Sequence, residues 1–511
     1  MKHKNFYITT PIYYPSGEPH MGHAYSSIFA DVFARFKRND NYKVHFLTGT
    51  DEHGLKIQKS AEKKGLDPLT YCNNISIIFK NLSKKLNLSN DDFIRTTEKR
   101  HHKSVNDIWE RLVKSGDIYL SKYKGWYSVS DEAYYNSNEI IEKNGKRFST
   151  FSGSSVEWVE EDSFFFKLSA WEDKLLKFYD ENEKFILPIS RRNEVINFVK
   201  SGLKDLSVSR TSFTWGIKVP TNKTHVIYVW LDALTNYLSA LNFPNTEDSL
   251  YKDFWPASLH VIGKDILRFH AIYWPAFLLA ANIKPPIRIF SHGWILSGEK
   301  KMSKSRGNIL DPIEVIKKYG VDELRYYLMK EVPHGSDGSV SLENLKSCIN
   351  SDLANNYGNL CQRVFSFIRN NCDNKVEKKK NISNSDKKLI EETKNLTKEL
   401  RNEMDKQNLN SYIKLVLNIS FLTNKYINDE EPWKLKKNNL EKMNNILHVA
   451  LEQITKISIL LNPIIPNKTS KVLDALNIDN KLRSLKLLDN TNLFDNEVKI
   501  NNLDILFKKI I

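Results

Sequence analysis

No apolar run in the 511 residues is long enough to cross a bilayer. The nearest, Phe269 to Ala281, is interrupted by His270 and Pro275. The N-terminus lacks the apolar stretch of a secretory signal, so neither a membrane partner nor export is expected. Cysteine is scarce. Cys72, Cys348, Cys361 and Cys372 are the only four, and no two form a CxxC pair. That excludes a disulfide framework and leads us to expect reduced thiols in a cytoplasmic protein. Internal repeats are absent, which excludes a solenoid.

What is present reads as soluble and globular, with length for two to four domains. The formal net charge is +15 and the isoelectric point near 9.2, which suits a polyanionic partner such as nucleic acid. Abundant Lys, Asn and Ile also follow from an AT-rich coding bias, so charge alone does not choose between the two explanations.

Two clusters carry the chemistry: His20-Met21-Gly22-His23 and Lys301-Met302-Ser303-Lys304-Ser305. Asn5 to Thr10 is a β-rich run closed by Pro11, and Pro15, Gly17 and Pro19 mark a loop. From Met21 the period changes. Ile28, Phe29, Val32, Phe33 and Phe36 recur at helical spacing. His20 and His23 share one face of the first turn. Unpaired N–H groups and the positive dipole end favour a phosphate there. Gly22 leaves room for a nucleotide against the backbone. The alternative is two ordinary surface histidines. The second cluster lies among Gly293, Gly298 and Gly307, flanks that let a loop open and close. Its lysines, with Lys300, would stabilise charge on departing pyrophosphate; the alternative is a solvated basic loop. Together the clusters describe attack on the α-phosphate of ATP. No activated nucleophile accompanies them, so the nucleophile is expected to belong to a substrate.

The chain divides by rhythm. Residues 1–115 read as the first half of a doubly wound α/β sheet, with Tyr42 to Thr48 a second strand and Gly49 to Gly54 the loop at its functional edge. Residues 116–224, rich in aromatics and short strands, read as an inserted domain. The α/β pattern resumes at 225–308, in the runs His225 to Trp230 and Leu259 to Ile262. Residues 309–343 read as a connector, and 344–511 as a helix bundle without strands.

HMGH and KMSKS resemble the two signatures of class I aminoacyl-tRNA synthetases. The surrounding sequence resembles methionyl-tRNA synthetases in particular: TTPIYYPSGEPHMGHAY (9–25), FLTGTDEHG (46–54), YVWLDALTNY (228–237), HVIGKDILRFHAIYWPA (260–276), KMSKSRGN (301–308), NLCQR (359–363) and EEPW (430–433). The resemblance implies a Rossmann-like catalytic domain of doubly wound parallel-sheet type, an inserted connective domain, and an α-helical anticodon-binding bundle. It implies ATP-dependent activation of L-methionine to methionyl-adenylate and transfer to the 3′ end of tRNA(Met), initiator tRNA included, with Mg²⁺ accompanying ATP. The chain stops soon after the bundle, without the C-terminal tRNA-binding domain some relatives use to dimerise, so a monomer is expected.

By this resemblance His20, Gly22, His23, Gly263, Asp265, Lys301 and Lys304 would contact ATP, with His20, His23, Lys301 and Lys304 doing the catalysis. Asp51 and Tyr14 would hold the methionine ammonium. Ile12, Trp230, Ala233, Leu234, Tyr237, Ile266 and His270 would form its sleeve. For the apolar members of that set, plain core packing is the competing reading. Arg210 is a further candidate for the phosphate network. Asn359, Arg363, Pro432 and Trp433 would read the anticodon, Trp433 by stacking on an unpaired base; the competing reading makes Trp433 an aromatic plug between helices. Many members of the family carry a zinc knuckle in the insertion. Here Ser128 and Asp131 stand where a cysteine pair would fall, and no cysteine lies between Cys72 and Cys348, so no structural zinc is expected. Enzymes for leucine, isoleucine and valine carry an editing insertion too large for residues 116–224. A cysteine-specific enzyme would need zinc-binding cysteines. A catalytically dead tRNA-binding paralogue would be expected to have eroded signatures, and both are intact.

Overall fold

A computed structural model describes residues 4–15, 17–131, 133–135, 137–297, 300–301, 310–490, 493–494 and 496–510. Six parallel strands form the central sheet: β1 (Asn5–Tyr13), β2 (Lys43–Thr50), β3 (Asp92–Arg95), β4 (Ile186–Leu187), β5 (Leu259–Gly263) and β6 (Ile289–His292). Their order is β3-β2-β1-β5-β6-β4. The order reverses at β1, so a crevice opens beyond the carboxyl ends of β1 and β5. Gly49 is required where β2 meets β3, because a Cβ there would lie 2.1 Å from the Ile94 carbonyl oxygen.

The helix α1 (Met21–Asn39) follows β1. Its apolar face carries Ile28, Phe29, Val32, Phe33 and Phe36, all fully buried against the sheet and the C-terminal helices. Lys37 and Arg38 in its last turn complement the dipole, and Asn41 takes the left-handed conformation just past its end, at φ 64°.

Several expectations are corrected. Pro11 does not end β1. The strand runs on to Tyr13 with a register shift between Thr9 and Ile12, and a bulge tolerates a residue without an N–H. The inserted segment does not run unbroken from 116 to 224, because β4 lies inside that range and forms the sheet's edge. The run from His225 belongs instead to an antiparallel strand, Asn222–Ile227, and Trp230 lies in the first turn of a helix, Val229–Leu234. The insertion proper is built on an antiparallel hairpin, Ile118–Ser128 against Glu157–Phe166, with Ala133–Tyr135 beside it.

Residues 309–343 are no mere connector. The helix Val321–Glu331 is almost wholly buried, and one apolar core runs through it from α1 into the bundle. Arg325, fully buried, ion-pairs with Asp31 of α1 at 2.6 Å and donates to the carbonyls of Pro463 and Ile464. The bundle comprises Asn359–Asn371, Asn384–Asp405, Leu409–Glu430 and Leu440–Leu461, the last buried on nearly every face. A two-residue ladder, Lys375–Val376 with Val498–Lys499, interrupts the expected absence of strands.

Candidate active site

The ends of β1, β2, β5 and β6 and the helix Val229–Leu234 surround a cavity of about 800 Å³, ample for an amino acid and a nucleotide. His20 caps α1. Its Nδ1 accepts from the Gly22 N–H, while the His20 N–H donates to Nδ1 of His23, both at 3.1 Å. The two rings stack with centroids 3.8 Å apart. Burial, and His20 beside it, hold His23 well below the ordinary histidine range, so it is neutral. With both Nδ1 atoms accepting, a neutral ring carries its hydrogen on Nε2, the donor a phosphate oxygen requires. Ser26, one turn on, bonds Nε2 of His292 at 2.7 Å and ties α1 to β6. His292 lines the cavity and went unremarked in the sequence, where a lone histidine at a strand end gives no signal.

The other end of the cavity is aromatic. Trp230 stacks face to face on Phe269, centroids 3.6 Å apart. Phe269 begins a π-helical turn, Phe269–Tyr273, a distortion that recurs at functional sites. His270 donates from Nδ1 to the Ile266 carbonyl, leaving Nε2 to accept the Tyr237 hydroxyl at 2.8 Å. Burial lowers His270 to about 4, so it stays a neutral acceptor and holds Tyr237 still. Asp51 and Tyr14 stand at the polar end; Asp51 is buried, and the Tyr14 hydroxyl donates to the His53 carbonyl at 3.0 Å.

Every methionine-site residue expected from the sequence lines this one cavity: Ile12, Tyr14, Asp51, Trp230, Ala233, Leu234, Tyr237, Ile266 and His270. So do His20, Gly22, His23, Gly263 and Asp265. Lys304 lies outside the described residues. Of Lys301 only the backbone is described, in a strand paired through Leu296. Arg210 does not join the site. It is buried under the insertion, 2.7 Å from the Glu161 carboxylate and 3.8 Å over the Tyr127 ring, which consumes its charge in packing.

The insertion reaches the cavity through Ser130, Asp131, Tyr135, Phe151 and Ser152. The Asp131 carboxylate accepts from the hydroxyls of Tyr135 and Ser154, each at 2.8 Å, and of Ser152. Its backbone N–H donates to the Ser128 hydroxyl. Among the described residues the donors gathered here are hydroxyls and the Asp131 carboxylate, which do not fit a tetrahedral thiolate zinc.

Far from the cavity, the Arg363 guanidinium lies 5.8 Å from the ring of Trp433 and donates to Asn428 at 2.7 Å. Trp433 is 44% exposed, against the plug reading. Asn359 sits one turn before Arg363 on the same helix. Pro432 is buried at the first position of the short helix Pro432–Leu435, so it fixes how Trp433 is presented and offers no surface to a base.

A parallel sheet that reverses at β1, with an imidazole-capped helix at the crevice beyond its carboxyl ends, is the arrangement of a class I aminoacyl-tRNA synthetase. The family model for class I tRNA synthetases (M) matches residues 6–146 and 143–365, and the anticodon binding domain of methionyl tRNA ligase matches residues 376–511. Methionine–tRNA ligase of Brucella suis is 48% identical over 93% of this chain and 92% of that protein. The Rickettsia typhi ligase is 48% identical over 99% of each. The solved structure of Mycobacterium tuberculosis methionyl-tRNA synthetase in complex with methionyl-adenylate superimposes with a TM-score of 0.96 at 43% identity, covering 99% of both chains. The chain belongs to the methionyl-tRNA synthetase family.

Proposed function

We propose that the chain activates L-methionine with ATP and transfers it to tRNA carrying a CAU anticodon, elongator and initiator alike. The observation that carries this reading is the single cavity joining the stacked His20 and His23 to the Trp230–His270 pocket. A carboxylate oxygen of methionine attacks the α-phosphorus of ATP. The bond to the β-phosphate breaks, and methionyl-adenylate and pyrophosphate form. The ribose hydroxyl at the tRNA 3′ end then attacks the acyl carbon, and AMP leaves. Both nucleophiles are substrate oxygens, so the protein supplies position and charge.

Asp51 and Tyr14 meet the ammonium. Ile12, Trp230, Ala233, Leu234, Tyr237, Ile266 and His270 enclose the thioether. Nε2–H of His20 and of His23 donate to the phosphates, and Gly263 and Asp265 meet the ribose. Lys301 and Lys304 neutralise the leaving pyrophosphate, and Mg²⁺ accompanying ATP would offset further phosphate charge. Trp433, Arg363 and Asn359 read the anticodon. We further propose that the enzyme works as a cytoplasmic monomer. Charging of purified tRNA with radiolabelled methionine tests the reading: a CAU-anticodon tRNA should be charged, and charging only with a different amino acid would refute it.

A further inference from the structure

Asp232 is fully buried and, like the two histidines it holds, is not among the residues lining the cavity. Its Oδ2 lies 2.6 Å from Nδ1 of His53, and its Oδ1 lies 2.6 Å from Nε2 of His101. Nδ1 of His101 lies 2.9 Å from the Ser239 hydroxyl, whose hydrogen goes to the Thr235 carbonyl. Both His101 nitrogens therefore have hydrogen-bond partners, and the Asp232 carboxylate is held between two buried imidazoles, His101 and His53. Burial acts to raise the Asp232 carboxyl, but the charge and hydrogen bonds of His53 and His101 outweigh it and hold it well below the carboxylate range.

The position of this carboxylate matters. Asp232 belongs to the helix that carries Trp230, Ala233 and Leu234. His53 lies two residues beyond Asp51, and its carbonyl accepts the Tyr14 hydroxyl. One hydrogen bond thus joins the two walls of the proposed methionine pocket, the loop at its ammonium end and the helix at its thioether end.

We infer that Asp232, acting through His53, is a positioning residue for methionine: it fixes the spacing between the group that grips the ammonium and the sleeve that takes the side chain. The inference rests on the functional reading above. It differs from a plain packing role in what it must disturb. Cutting the tie misplaces the methionine walls and leaves the capped end of α1, where the ATP phosphates bind, as it was. Removing one buried hydrogen bond of this kind is worth about tenfold in affinity.

The test is methionine-dependent ATP–pyrophosphate exchange on the full chain with His53→Leu, His53→Ser and His53→Asn. Leu has no donor, and Ser does not reach Asp232 from the same backbone position. Both should raise KM for methionine about tenfold while KM for ATP stays within about twofold. Asn places an N–H where Nδ1–H stood and should restore KM for methionine to within about threefold of wild type. Should His53→Leu fail to fold, His53→Ser carries the decision. The inference is overturned by a lower melting temperature with an unchanged methionine KM, by parallel rises in both KM values, or by an Asn variant as impaired as Ser. A wild-type enzyme without methionine-dependent exchange would instead overturn the functional reading itself.

Discussion

Trp433→Ala separates the two halves of the molecule. Trp433 is 44% exposed and is absent from the bundle's packed core. A Trp side chain presents at most about 250 Å², so roughly 100 Å² is open to a base. At about 25 cal/mol per Å², full coverage would contribute no more than about 2.5 kcal/mol. Alanine substitution of base-stacking aromatics costs about 1–3 kcal/mol, the same range. The variant should therefore lose roughly one to two orders of magnitude in kcat/KM for charging a CAU-anticodon tRNA. Methionine-dependent pyrophosphate exchange needs no tRNA, and its residues lie around the distant crevice, so it should be unchanged. The melting temperature should move little, because the lost contacts are at the surface. Arg363→Ala should follow the same pattern, since its guanidinium flanks the same ring. Equal losses in both reactions, or a large drop in melting temperature with charging intact, would refute the reasoning.

Lys304→Ala should slow adenylate formation by about a hundredfold or more while leaving methionine affinity nearly unchanged, because the contact proposed for it is one that strengthens as pyrophosphate leaves; an unchanged single-turnover rate contradicts that role. Purified protein should contain no stoichiometric zinc by elemental analysis. Asp131→Ala, which strands the hydroxyls of Tyr135, Ser152 and Ser154, should destabilise the insertion; tightly bound zinc, or a silent Asp131 variant, would contradict the hydroxyl hub. Burial raises Asp322 from 3.8 to about 6, against the opposing N–H of Lys468. The folded state therefore holds this proton more tightly than the unfolded chain, and stability is lost as pH rises from about 4 to about 6. Relative to wild type, Asp322→Asn should gain up to about 3 kcal/mol between about pH 4 and pH 7 in denaturant titrations, and a pH-independent difference refutes the assignment.

The sequence revealed those parts of the fold whose signals are local. The change of period at Met21 located α1, and loop residues at strand ends located the crevice, because functional side chains gather there. The bundle's apolar spacing was equally plain. What escaped notice depends on tertiary context. β4 is two residues long, too short for any alternation, and only its neighbour β6 makes it a strand. Arg210 looks the same in sequence whether it meets a phosphate or Glu161. Asp232 stands in an apolar run, and nothing local reveals the two histidines that reach it from residues 53 and 101. Pro432 and Trp433 are adjacent in sequence yet one is buried and the other exposed, because the left-handed turn at Glu431 sets the helix orientation.

The central claim is that one cavity brings methionine and ATP together. ATP–pyrophosphate exchange without tRNA, run in parallel with each of the twenty amino acids, tests it most directly. Methionine should support exchange at a rate well above all the others. Exchange driven by another amino acid, with none for methionine, would contradict the account.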